Sequence, residues 1–202
     1  QQRNELLEAT DITETITAMR NDVLTAETNQ YIPPESVEEQ WDAAGLEKSL
    51  LGEFNFNAPV ADWIKQEPTL DDEKIKTRVL ENAAREYEEK FAMVEHKEYV
   101  RQFERGVMLQ ALDNHWREHL ASLDHLRQGI HLRRYAQKNP KQEYKREAFE
   151  LFSGLLDVVK REVTQKLMLV RVQSEQEVEQ AAEQVEHVQE PKNVQYHHAD
   201  YE

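Results

Sequence analysis

The chain is predicted to be all-α: a small helical module, a long antiparallel two-helix hairpin and a disordered acidic C-terminal tail. Three observations predict it. Apolar residues recur every three or four positions through most of the 202 residues, which is the helical period. Glycine is scarce, at 5, and charged residues make up 32%, a mixture that suits exposed helical surface more than a thick core. Two of the periodic stretches are very long, and they meet at a short polar turn.

Residues 1–9 are polar apart from Leu6 and Leu7 and read as the last turns of a longer helix. Asp11 and Thr13 are N-cap types, with Glu14 at capping-box spacing from Asp11. Ile12, Ile16, Met19 and Val23 then predict a helix over 12–29. Pro33 and Pro34 end it, because the residue before a proline is steered out of the helical region. Ser36 is expected to cap a short helix over 37–44 that Gly45 stops or kinks, and 46–51 is expected to form a further short helix. Residues 54–59 read as an irregular loop, and 60–65 as a turn or two around Trp63. Behind Pro68, the positions Ile75, Val79, Leu80, Ala83, Ala84, Tyr87 and Phe91 predict a longer helix. Tyr31, Trp41, Phe54, Phe56 and Trp63 are expected to fill the module's own core, since aromatic side chains bring large buried area.

From residue 97 the pattern lengthens. Val100, Phe103, Val107, Leu109, Leu112, Trp116, Leu120, Leu123, Leu126 and Ile130 predict one helix of about 34 residues, roughly 50 Å long. Gly106 lies within it, where a close packing contact is expected, and Gly129 stands where a C-cap glycine belongs. Asn139, Pro140 and Gln142 form a helix-start signal: cap, first-turn proline and capping-box partner. Tyr144, Ala148, Leu151, Phe152, Leu155, Val159, Val163, Leu167 and Val170 stripe the return helix. Two such rods joined by a short turn lie antiparallel. Leu112, Trp116, Leu120, Leu123, Phe152 and Leu155 are the expected hairpin core. Residues 174–202 lose the long apolar side chains and are expected to form a fraying helix and then disorder.

The net charge is −15, unevenly spread. Residues 97–173 carry 15 basic and 10 acidic side chains, while the remainder carries 10 and 30. Basic charge peaks around the hairpin turn, where Arg127, Arg133, Arg134, Lys138, Lys141, Lys145 and Arg146 surround Tyr135. A tyrosine offers a ring and a hydroxyl at modest entropic cost, so the turn is a candidate contact for an acidic surface, lipid head groups or an extended polypeptide. One aromatic is a poor stacking platform for single-stranded nucleic acid, and no nucleic-acid partner is expected.

Without cysteine there are no disulfides, thiolate metal sites or cysteine nucleophiles. No apolar run reaches the length needed to span a bilayer. The chain opens at Gln1 without a signal peptide and is read as a piece of a longer protein. His115-Trp116-Arg117-Glu118-His119 fits the inverted zincin pattern H-x-x-E-H, but a catalytic zinc needs a third protein ligand, and nothing singles one out. The plainer reading places His115 and His119 on the hairpin surface or against neighbouring helices. No catalytic residue and no metal site is assigned.

The segment GVMLQALDNHWREHLASLDHLRQGIHLRRYAQKNPKQEYKREAFELF, residues 106–152, closely resembles the C-terminal region of the SecA family of preprotein-translocation ATPases. QRNELL, DITETI and YIPPES, at 2–7, 11–16 and 31–36, match as well. The resemblance runs over about residues 1–173. It implies that 1–9 end the long scaffold helix, 10–96 are the helical wing domain, 97–173 are the two-helix finger of the helical scaffold, and 174–202 begin the C-terminal linker. It further implies that the finger regulates the parent's ATPase, enters the cytoplasmic mouth of the SecY channel and touches the unfolded preprotein through Tyr135, with Arg133, Arg134, Lys138 and Lys141 beside it. Arg134 stands where the family usually has glycine, and His115 is not part of the shared pattern. ATP, magnesium and zinc sites of the family would lie in other segments, so no cofactor is expected here. The implied partners are SecY, preprotein, the parent's nucleotide-binding domains and a possible second copy. The implied location is cytoplasmic, peripheral at the inner membrane.

Overall fold

The computed structural model describes residues 12–132 and 139–189. Seven helices account for nearly all of them: α1 (Ile12–Tyr31), α2 (Ala43–Phe54), α3 (Val60–Gln66), α4 (Asp72–Lys90), α5 (Lys97–Leu132), α6 (Pro140–Leu169) and α7 (Glu175–Gln189), with a 3₁₀ turn at Glu38–Gln40. There is no strand among the described residues.

α1 buries the row Ile12, Ile16, Arg20, Val23, Leu24, Glu27 and Thr28. It ends where Tyr31 and Ile32 meet the two prolines. The short helix expected over 37–44 is instead the 3₁₀ turn, and α2 starts later, at the N-cap Asp42. Asp42 accepts a hydrogen bond from the backbone N–H of Gly45 at 2.9 Å. Gly45 therefore opens α2 rather than stopping a helix. A Cβ there would lie 2.2 Å from an Asp42 carboxylate oxygen, so the glycine is what lets the cap sit this close. The helix expected over 46–51 is thereby extended back to Ala43 and on to Phe54.

The α2–α3 loop is irregular, as its sequence predicts, yet it is packed. Asn55 closes α2 with φ 48°, a left-handed conformation that asparagine tolerates. Phe56 and Ala58 then drop into the core. Phe54 and Phe56 are fully buried, while Tyr31, Trp41 and Trp63 pack against the same core from its edge. Trp41 donates its indole N–H to Ser36 Oγ at 2.8 Å. Partial exposure leaves that polar handle within reach of a partner.

α5 and α6 form the hairpin, about 54 and 45 Å long at 1.5 Å per residue. The base of α6 enters both main cores. Leu155, Val159, Val163 and Leu167 join Ile12 and Ile16 of α1 and Met108 and Ala111 of α5. Met168 belongs to the core made by α1–α4. Polar ties reinforce this: Arg161 pairs with the buried Glu27 at 2.9 Å and also with Glu53, and Lys160 meets Asp22 at 3.0 Å. Lys90 donates to the carbonyls of Leu167 and Met168, at the end of α6 where a cation is favoured.

The first half of the tail is helical, as expected, but it is docked rather than frayed. Residues 175–189 form α7, which packs along α5. Val178 is buried with Phe91, Val94 and Val100. Tyr99 donates to Glu179 at 3.0 Å, and the His96 backbone N–H donates to Glu175 at 3.0 Å. The tail's few apolar residues, Val178, Ala182 and Val185, are spaced on one helical face, and α5 supplies the surface they need. Residues 190–202, the rest of the predicted tail, lie outside the described residues.

Gly106 is a point of close approach between the two helices: a Cβ there would lie 2.1 Å from Val185 Cγ2. Gly106→Ala is expected to destabilise the chain by about 1–3 kcal/mol through overpacking. In a Val185→Ala background the same change should be neutral or stabilising, since alanine is the better helix former by about 1 kcal/mol. Denaturant unfolding of the four variants of that cycle measures both.

Candidate interaction site at the distal end of the hairpin

α6 begins as its helix-start signal predicts. Asn139 accepts the Lys141 backbone N–H at 3.2 Å, with Pro140 in the first turn. α5 runs through Gly129 to Leu132, so that glycine is an interior position and not a C-cap. Tyr135, Arg133, Arg134 and Lys138 lie outside the described residues. Lys141 is described and lies on the first turn of α6. It joins Arg127, Ile130, Pro140, Tyr144 and Lys145 around a groove of about 350 Å³ directly below the turn. The floor is apolar and three cations rim it. Arg146 is turned away from this rim toward Glu143, at 2.9 Å. A larger cleft, about 1030 Å³, separates the two helices on the same distal half and includes Glu118, His125, Arg146 and Glu150.

The expected hairpin core requires correction. Leu155 is buried, and Leu112 and Phe152 pack against the same core. Trp116 and Leu120, however, are 38% and 49% exposed, and Leu123 is only half-buried. The buried row on α5 is Val100, Glu104, Met108, Ala111 and His119. Trp116 and Leu120 follow Leu112 along a row one residue, or about 100°, further round. Polar residues occupy the inner row because each finds a partner there. His115 Nε2 lies 2.7 Å from Glu162, and the His119 ring sits between Trp116 and Phe152, 5.4 and 6.0 Å away. Burial alone would raise the Glu162 carboxyl, but hydrogen bonds from Lys166 and His115 outweigh it and hold the pKa below the ordinary value. His115 and His119 are thus committed to different neighbours. Among the described residues no group of three His, Asp or Glu is arranged to hold a metal ion.

With Phe149, 70% exposed, and Leu156 on α6, the displaced residues leave a large apolar flank on the hairpin uncovered. From 120 to 129 on α5 and from 141 to 154 on α6 no residue is fully buried. The two stripes cover each other fully near the base and only in part along the distal half.

At the base the hairpin meets the wing through charge. Glu104 of α5 is 4% exposed and faces Arg20 of α1 and Tyr87 of α4, with Arg101 on its own helix. Burial pushes its pKa up to about 7, against the opposing pull of Tyr87, Arg20 and Arg101. The Arg20 guanidinium lies 4.8 Å from the Tyr87 ring centre. Sequence periodicity had no means of finding this cluster, because an arginine and a glutamate at core positions look like surface.

A family model described as the SecA Wing and Scaffold domain matches residues 1–171. The chain belongs to the SecA family. SecA relatives align over its full length. The protein translocase subunits SecA of Dechloromonas aromatica (strain RCB) and Methylobacillus flagellatus are each 58% identical over 202 residues. The protein translocase subunit SecA 1 of Nitrosospira multiformis is 56% identical. The chain spans 22% of the length of each of these SecA proteins. No described helix is long and apolar enough to cross a membrane.

Two predictions follow from this geometry. Trp116→Ala should cost less than the roughly 3–5 kcal/mol typical of a buried aromatic, and less than Leu155→Ala, when both are measured by urea unfolding of the chain. For Glu104, the folded pKa near 7 lies above the ordinary 4.5. The unfolded chain therefore gives up this proton first, and stability falls as pH rises from about 4.5 through 7. The whole effect is on the order of 3 kcal/mol. In Glu104→Gln that component of the pH dependence should vanish, as compared by unfolding at pH 5 and pH 8.

Proposed function

We propose that this chain is the non-catalytic wing and finger portion of a SecA protein-export motor. In this reading the distal end of the hairpin meets the cytoplasmic mouth of the SecY channel and the unfolded preprotein inside it. Motion produced by nucleotide-binding domains elsewhere in the parent is delivered through the hairpin, which in turn regulates the parent's ATPase. The observation that carries the reading is the cation-rimmed apolar groove of Arg127, Ile130, Lys141, Tyr144 and Lys145, set at the far end of a hairpin whose base is locked into the wing. Such a surface suits an unfolded segment, because ring and aliphatic contact is independent of sequence while the cations select for acidic neighbours.

The uncovered flank of Trp116, Leu120, Phe149 and Leu156 fits the same reading. Relatives carry more than three-quarters of their length outside the region matched here, and that body is the natural cover for an apolar face of this size. ATP, magnesium and zinc chemistry belongs to those other segments. The protein works in the cytoplasm, peripheral to the inner membrane. A second reading, a dimerisation module that never touches the channel, places a second copy on the same flank.

The deciding experiment is a photocrosslink from position 135 to a stalled preprotein in the assembled translocase. The expected result is a crosslink that weakens as salt rises, since exposed charges are screened beyond about 10 Å at 0.1 M. Tyr135→Ala should reduce transport while leaving the melting curve unchanged. Normal transport by that variant, with no crosslink from position 135, would exclude a tip contact. Sedimentation of Leu120→Asp in the intact motor separates the second reading, which requires a shift toward monomer.

A further inference from the structure

The wing carries a surface whose chemistry is opposite to that of the groove below the hairpin turn. Residues 35–40 join α1 to α2 and end in the 3₁₀ turn. Val37 is 59% exposed there, and Glu35, Glu38 and Glu39 around it are exposed as well. No Lys or Arg occurs in the sequence between Arg20 and Lys48, and Glu38 and Glu39 make no ion pair among the described residues. Other exposed apolar side chains have cations at hand: Val158 is followed by Lys160 and Arg161, and Leu169 by Arg171. The turn is also firmly held. The Glu35 backbone N–H donates to Asp72 at 3.0 Å, the Val37 backbone N–H donates to the Gln40 side chain at 3.2 Å, and the Gln40 backbone N–H donates to the Val37 carbonyl at 2.9 Å. A segment fixed in this way needs little further ordering when it binds.

We propose that the groove below the hairpin turn is a docking site for this acidic turn of a second copy of the chain. Val37 enters the apolar floor of Ile130, Pro140 and Tyr144, and the glutamates around it face Arg127, Lys141 and Lys145 on the rim. Those cations are available. Lys141 and Lys145 are exposed and make no ion pair among the described residues, and Arg127 has only a 4.0 Å approach to Asp124. One chain cannot make the contact with itself. Lys141 lies about 30 Å along α6 from Arg161, where the hairpin is tied to α1 and α2 through Glu27 and Glu53. In a two-fold pair each groove receives the other copy's turn, so the contact forms twice and the assembly closes at two. The hairpins then run antiparallel, basic end against acidic wing. Residues 97–173 carry 15 basic and 10 acidic side chains, and the remainder 10 and 30, so this pairing sets opposite charges together. Contacts of this kind fix orientation and weaken as salt rises. The proposal needs nothing from the channel reading, since both surfaces belong to this chain.

Charge reversal on each side in turn tests this by sedimentation equilibrium of the 202-residue chain at low salt. One variant carries Lys141→Glu and Lys145→Glu, and the other carries Glu38→Lys and Glu39→Lys. All four positions are exposed, so both variants should melt as the wild type does. The wild type should form a dimer that added salt dissociates. Each variant alone sets like charges together and should self-associate about tenfold more weakly, or less. An equimolar mixture of the two should dimerise as the wild type does, because both groove-to-turn contacts are then between opposite charges. A mixture that stays as monomeric as its components overturns the proposal, and so does a wild-type chain that is monomeric throughout. Leu120→Asp, on the uncovered flank, should leave the dimer in place. A dimer lost in that variant but kept in both charge variants belongs to the flank, which overturns the proposal equally.

Discussion

The structure depends on the burial of one short stretch, the last four turns of α6. Leu155, Val159, Val163, Leu167 and Met168 are each less than a tenth exposed. At about 1.5–3 kcal/mol for each fully buried side chain, they contribute on the order of 10 kcal/mol. An exposed ion pair such as Lys160–Asp22 contributes about a tenth of that. These five residues do not lie in one core. Met168 belongs to the wing's own cluster, and the other four belong to the cluster between α1, α5 and α6. The wing and the hairpin are therefore not two bodies in contact. They share a helix, and neither core is complete without it.

Specific polar contacts then set the orientation that burial alone leaves loose. Arg161 spans Glu27 on α1 and Glu53 on α2, and its guanidinium also covers the ring of Phe54, 5.4 Å away. Glu27 is 3% exposed, so removing Arg161 would leave a buried charge with only Ser49 beside it. That loss is far more costly than breaking a surface pair. Lys90, fixed to the final carbonyls of α6, stops the helix from sliding along its axis. On the other side of the base, α7 closes over Val100 and Phe91 and is seated by the absence of a side chain at Gly106.

Much of this was legible in the sequence, for identifiable reasons. Both rods of the hairpin, the start of α6 at Asn139–Pro140 and the end of α1 before Pro33 are local signals, and local signals survive without tertiary information. The burial of Phe54 and Phe56 followed from the large area they carry. What was not legible depended on partners distant in sequence. Glu104, His115 and Arg20 hold inward positions because Tyr87, Glu162 and one another lie opposite, and no periodicity reveals that. Trp116 and Leu120 read as core because they are large and apolar at helical spacing; spacing identifies a face but not what covers it. The docking of α7 was missed for the opposite reason. Val178, Ala182 and Val185 are too few to signal a buried helix alone, and they suffice only because α5 offers a matching strip with a glycine in it. Of the candidate site, the groove of Arg127, Lys141 and Tyr144 was foreshadowed by the local excess of basic residues, while Ile130 as its floor was visible only in the fold.

Burial is unevenly distributed along the hairpin, and two helices resist bending together only where they interlock. Here interlocking is confined to the base. Beyond His119 on α5 and before Leu155 on α6, Ile130 is the one fully buried residue among those described, and a wide cleft separates the helices. The distal half is two helices side by side, each keeping an apolar face outward. In that half the apolar side chains of Trp116, Leu120, Phe149 and Leu156 remain partly uncovered by the described residues.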